Sequence, residues 1–340
     1  MTSITRYVGL AVALCVSGLM SASIAAQEAP SKVLVVNTQD GSVSVVDLAT
    51  MKELSRNPVS PRPYGIAVSR DAKTVAVGVE DEECVKFFSL PDFKLKGKAE
   101  IGKMFNDHII LTQDGQHILV ADFYSDDELG IGMESMKEEF RITDCSAPHV
   151  VKFGPQKKLV YVTCKKITGI AIIDPESRKL VKFMQLNVNP RSLTFSPDEK
   201  KLYFGSFWVN GFFELDTESG NVSRLLSFDP PKDNAGNEEV TYHGVEALTD
   251  NIVVAANEGR SYVDAVDVST GKHLSRLSDV AKPCCVEKIP GGNSGGTVRF
   301  LISNIGDGTL QFAEMAADGQ LKTVGKVQVG KAPKRVAFIP

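Results

Sequence analysis

Short runs of alternating apolar and polar residues, divided by polar turns, fill this chain from about residue 33 onward. Val33-Leu34-Val35-Val36-Asn37, Val43-Ser44-Val45-Val46-Asp47, Val75 to Val79 and Ile252 to Ala256 are typical. β-Branched and aromatic residues are enriched in them, the turns come at close intervals, and helical periodicity is absent. The pattern predicts antiparallel strands throughout.

A longer period is superimposed on the alternation. A two-residue step, usually proline plus a polar residue, followed by apolar-alternating residues, occurs seven times. It reads Pro63-Tyr64-Gly65-Ile66, Asp107-His108-Ile109-Ile110, Pro148-His149-Val150-Val151, Pro190-Arg191-Ser192-Leu193, Tyr242-His243-Gly244-Val245, Pro283-Cys284-Cys285-Val286 and Pro333-Lys334-Arg335-Val336. The spacing, mostly a little over about forty residues, is that of a β-propeller blade. Each phrase opens a first strand, and a turn such as Ser69 to Lys73 leads into a second. A third strand often ends in Asp (Asp174, Asp216, Asp267), and a polar turn leads into a fourth.

The ends complete the count. Residues 33–54 supply strands two to four of a blade, and residues 334–338 supply a first strand with nothing after it. Pairing them makes a seventh blade and closes the ring. The expected fold is all-β, a seven-bladed propeller forming one domain over residues 27–340.

Tyr161-Val162-Thr163-Cys164 and the turn from Ser196-Pro197-Asp198 to Lys201 resemble the YVTN-type seven-bladed propellers. The resemblance spans nearly all of the chain beyond residue 26. It implies an exported protein, related in fold to lactonase-like propellers and to propeller subunits of periplasmic dehydrogenases. The motif's last Asn stands at Asn37, Asn257 and Asn304 but is replaced by Val79, Asp122, Cys164 and Ser206 in other blades. Because the motif is architectural, it implies no particular activity.

Residues 1–26 break the β pattern. Arg6 precedes an apolar stretch, Val8 to Met20, and then small residues to Ala26, as in a signal peptide cleaved near Ala25 or Ala26. A periplasmic or secreted protein is expected, and no later segment is apolar for long enough to span a bilayer. The 340 residues are 43% hydrophobic and 24% charged, with a net charge of -4. That composition is globular, and it offers no basic footprint for nucleic acid. Export makes disulfides available to Cys84, Cys145, Cys164, Cys284 and Cys285. A Cys145–Cys164 bridge across the top of the third blade is expected; Cys284-Cys285 remains open between a vicinal disulfide, a soft-metal site and other pairing.

The start of each phrase is expected at the top rim of the central channel, in a column of Tyr64, His108, His149, Arg191, His243, Cys284 and Lys334. His108, His149 and His243 are candidate ligands of a transition metal (Zn, Cu or Fe), since neutral imidazole suits all three. Arg191 and Lys334 are candidates to hold an anion. The competing expectation is a solvated polar mouth with no ligand at all. Strict alternation turns Glu246 and Glu287 away from His243 and Cys284. Trp208 and Tyr242, with Phe123, Tyr124 and Phe207, would wall a pocket over the top. Acidic runs at Glu80 to Glu83, at Asp126 to Glu128 and at Glu238-Glu239 would steer a cationic partner or metal. The irregular stretch from Asp229 to Thr241 is a candidate binding loop. No nucleophile elbow, Gly-rich phosphate loop, His-Glu-x-x-His or haem-attachment motif occurs. The sequence therefore points to an exported binding or accessory propeller for a small ligand, metal or protein partner. Its alternatives are a metal-dependent hydrolase or oxidoreductase using the histidines, and a dehydrogenase subunit.

Overall fold

The computed structural model describes residues 29–101, 108–124, 126–143, 145–206, 209–229 and 242–339. Every regular element among them is a strand, and the strands form seven four-stranded antiparallel sheets. The expected propeller is what forms. Its innermost strands are Pro63–Val68, Ile109–Leu111, Pro148–Phe153, Pro190–Phe195, Tyr242–Ala247, Pro283–Ser294 and Pro333–Ile339, in blades 1 to 7.

Burial explains the sequence pattern strand by strand. Second strands such as Thr74–Val79 and Ile252–Asn257 are buried along their whole length, because a neighbouring blade covers each face. Outer strands such as Lys52–Pro58 and Leu95–Glu100 face water and carry the charges. Seven apolar clusters result, each shared by two adjacent blades. The cluster between blades 6 and 7, with Val33, Val35, Leu310 and Phe312, is as fully built as the others.

Blade 7 joins the two ends of the chain as expected. Lys32–Asn37 pairs with Pro333–Ile339, with Val33 opposite Phe338 and Val35 opposite Val336. The fourth strand of that blade runs to Pro58, longer than the sequence suggested. The Gly291 to Gly296 run lies at the hairpin between the first and second strands of blade 6. No helix among the described residues is long and apolar enough to cross a membrane.

Cys145 and Cys164 form the expected disulfide, with Cα atoms 5.4 Å apart. Cys84, Cys284 and Cys285 are free thiols, all buried. Thiol titration of the denatured, unreduced protein lacking residues 1–26 should count these three and no more. A count of one would show Cys284 and Cys285 already joined.

Candidate functional site

A bulge in the innermost strands decides which side chains reach the channel. In blade 3, Pro148 pairs with Cys164 and Val151 with Val162, so three steps on one strand match two on the other. The same shift occurs in blades 1, 4, 5, 6 and 7. An extra residue re-aims the side chains around it. As a result the second residue of each phrase turns away from the channel: Tyr64, His149, Arg191, His243 and Cys284 are all buried. None of them, nor Lys334, lines the central cavity. The third residues do, namely Gly65, Val150, Ser192, Gly244, Cys285 and Arg335, together with the apolar fourth residues and the fifth residues Lys152, Glu246 and Glu287.

This corrects the expected rim. Glu246 and His243 do lie apart, but it is the carboxylate that lines the channel and the imidazole that does not. Blade 2 also departs by one residue. Ile109 pairs with Val120, as Ile66 pairs with Val77 in blade 1. His108 is therefore a third-position residue and lines the channel. Asp107, which would hold the second position, lies outside the described residues. The three histidines do not share a column.

The second-position residues instead join blade to blade, by side chain or backbone. Lys334 Nζ of blade 7 sits 4.6 Å from the centre of the Tyr64 ring in blade 1. Thr163 Oγ1 of blade 3 donates to the Arg191 carbonyl of blade 4, at 3.3 Å. His243 Nδ1 of blade 5 lies 3.5 Å from Cys284 Sγ of blade 6. His243 also contacts Glu258, in the turn after the second strand of its own blade. Among the described residues, the one group of three metal-ligand types converging within 4.8 Å is His243, Glu258 and Cys284. His108 and His149 are not in it. Glu258 gave no sequence signal, since only the fold brings that turn over the next blade.

Beside this group, Cys285 Sγ lies 3.3 Å from Cys284 Sγ and accepts from Arg335 Nη1 at 3.1 Å. The hydrogen bond from Cys285 holds the Cys284 thiol below its ordinary value, helped by the charges of Lys334 and Arg335 and opposed by burial. Cys84 is the contrast: burial pushes its thiol up to about 11, making it a structural thiol.

The channel cavity has a volume of about 220 Å³. Glycine fits where its walls come closest: a Cβ on Gly65 would meet Ile109 Cγ1 at 2.6 Å, and one on Gly244 would meet the Val286 nitrogen at 2.9 Å. Beside His108 and Cys285, two carboxyls and two cations line the cavity: Glu246, Glu287, Lys152 and Arg335. Lys152 Nζ donates to Glu246 Oε2 at 2.6 Å, which ties blade 3 to blade 5. Burial opposes the charge on Lys152, but Glu246 and Glu287 outweigh it and hold the ammonium above its ordinary pKa. Burial likewise raises the Glu287 carboxyl, to about 7; Lys152 and Arg335 pull it down and Glu246 pushes it up. The channel thus pairs two carboxyls with two cations, one carboxyl holding its proton close to neutrality.

The remaining sequence candidates fall elsewhere. Tyr242 is fully buried, and its hydroxyl donates to Asp264 at 2.6 Å. It packs under the top of blade 5 and offers no surface to a ligand. Trp208, Phe207, Glu238 and Glu239 lie outside the described residues, as do residues 230–241 of the candidate loop. Tyr124 is exposed and sits edge-on to Phe123, with ring centres 5.4 Å apart. Much of the acidic charge is met locally: Glu80 pairs with Arg62 at 2.8 Å, Glu82 with Lys86 at 2.7 Å, and Asp127 with Arg141 at 2.9 Å. This weakens the expected pull on a cationic partner.

No family model matches the chain, and no curated protein does. Solved structures do. The periplasmic gluconolactonase of Pseudomonas aeruginosa is 18% identical with a TM-score of 0.69, over 91% of this chain and 99% of that one. Hydrazine synthase of Kuenenia stuttgartiensis is 16% identical with a TM-score of 0.66, over 90% and 99%. A Lactobacillus plantarum protein is 11% identical with a TM-score of 0.75, over 92% and 100%. The class is therefore the seven-bladed β-propeller. At such identities the likeness is one of fold, and the fold hosts unrelated chemistries.

Proposed function

We propose that this chain is an exported propeller that binds a small polyhydroxylated acid or lactone in its central channel. One observation carries the proposal: seven first strands enclose a cavity into which Lys152, Arg335, Glu246 and Glu287 all point. Two cations suit a carboxylate or a lactone carbonyl, and two carboxyls suit hydroxyl donors. The fold-level likeness to a periplasmic gluconolactonase supports this ligand class by analogy. The Cys145–Cys164 disulfide fits an oxidising compartment, and residues 1–26 fit a leader.

The test is calorimetric titration with gluconate and with glucono-lactone. Lys152→Met, which removes the charged partner of Glu246 and leaves it Thr194 Oγ1 at 3.3 Å, should weaken binding by at least about tenfold, as expected for a lost charged hydrogen bond. Failure of both compounds to bind the parent protein would sink the proposal.

A catalytic variant of this proposal has its own support, a Glu287 carboxyl raised to about 7 beside Lys152. Such a group can give a proton to a leaving alkoxide at neutral pH. If the chain hydrolyses lactones, Glu287→Gln should slow turnover by about 100-fold or more. Equal rates in parent and variant would remove Glu287 from the reaction, and no turnover by the parent would leave binding alone.

A further inference from the structure

The group formed by His243, Glu258 and Cys284 lies outside the channel and has no part in the ligand site proposed above. We infer that His243 Nδ1, the Glu258 carboxylate and Cys284 Sγ form a binding site for a divalent transition ion of the zinc class, where blades 5 and 6 meet at the top face. Three donor atoms of the types zinc takes converge within 4.8 Å. The sulfur-to-nitrogen spacing suits one ion, whereas the Glu258 oxygen contacts Nδ1 directly and must swing off it to bind the same ion. A tetrahedral centre with bonds of about 2.3 Å to sulfur and about 2.0–2.1 Å to nitrogen places those two atoms about 3.5 Å apart. The observed separation of Sγ from Nδ1 is 3.5 Å.

The donors come from three separated places: the first strand of blade 5, the turn after its second strand, and the first strand of blade 6. The ion would therefore be held by blades already fixed by their own core. The charge balance is favourable, because a thiolate and a carboxylate neutralise a dication. Lys334 and Arg335 are the nearby opposing charges. Lys334 is turned over the Tyr64 ring and Arg335 is bonded to Cys285. Cys285 stands next to the trio without belonging to it, and its thiol competes for Cys284. Transfer of two electrons from the pair to an external disulfide, with loss of two protons, would join Cys284 to Cys285 and remove the sulfur ligand.

Cobalt(II) is the probe, added to protein purified without oxidant. One cobalt per chain is expected, with a sulfur-to-cobalt charge-transfer band in the near ultraviolet. Cys284→Ser should abolish the band. Glu258→Gln, on a turn, should weaken binding at least about tenfold while leaving the melting temperature of the metal-free protein unchanged. Cys285→Ser should keep the band, which separates this site from a simple dithiol. Lys152→Met should leave cobalt binding intact, so that a failed channel proposal and a failed metal proposal remain distinguishable. A band that survives Cys284→Ser, or its absence from the parent protein with thiols titrated as free, overturns the inference.

Discussion

Asp264→Ala is expected to cost about 3–5 kcal/mol of folding stability, the loss typical when one partner of a buried ionic network is removed. Asp264 is wholly buried on the third strand of blade 5. Its carboxylate takes both arms of Arg276, at 2.7 and 3.0 Å, together with His273 at 2.9 Å and the Tyr242 hydroxyl at 2.6 Å. Removing it leaves the buried Tyr242 hydroxyl with only the Tyr262 hydroxyl, at 3.4 Å, and Arg276 with Asp229, at 3.0 Å, and the face of the Tyr262 ring. Asp264→Asn keeps an acceptor for Tyr242 and should lose only about 1–3 kcal/mol. Urea unfolding measures both. A loss below about 1 kcal/mol for the alanine variant would show that Asp229 and water take over the network.

Glu287→Gln should do the opposite and stabilise the protein above neutral pH. The folded carboxyl titrates at about 7 against an ordinary 4.5, and burial is the main cause. A group whose native pKa is raised binds its proton more tightly when folded. Its stabilising contribution is full below about pH 4.5 and is lost as pH climbs to about 7. The shift corresponds to a ceiling of about 3 kcal/mol, reduced by water in the channel. Parent and variant should therefore be nearly equal at pH 4.5 and diverge steadily up to pH 7, the variant being the more stable. Parallel stability curves across that window would falsify the burial of Glu287 in the channel.

Sequence periodicity disclosed the architecture because every blade must bury its second strand on both faces and expose its fourth. That demand writes itself into Val75 to Val79 and into Lys52 to Pro58 alike. The Cys145–Cys164 pair was legible for a similar reason: the repeat placed both residues at one end of one blade. The channel was less legible. A bulge leaves no mark in residue type, so alternation alone could not tell whether His243 or Glu246 faces inward. The second blade, like the fifth, lacks the proline that opens the other five phrases, and there His108 slipped by one position. Tyr242 looked like a rim aromatic, yet its partner Asp264 comes from a strand two further along the same blade. Glu258 was invisible because its role depends on a neighbouring blade.

The pairing of Lys32–Asn37 with Pro333–Ile339 also sets an order in time. A ribosome, or a translocation pore, delivers the first of these strands nearly the whole chain length before the second. Until then Val33, Val35 and Phe312 wait with one wall of their cluster missing, and an open strand edge can pair with any other chain. The closing strand Pro333–Ile339 thus ends the period of greatest exposure to aggregation. Deleting Phe338 and Ile339 should lower the soluble yield sharply, because it opens the closing pair at Val33.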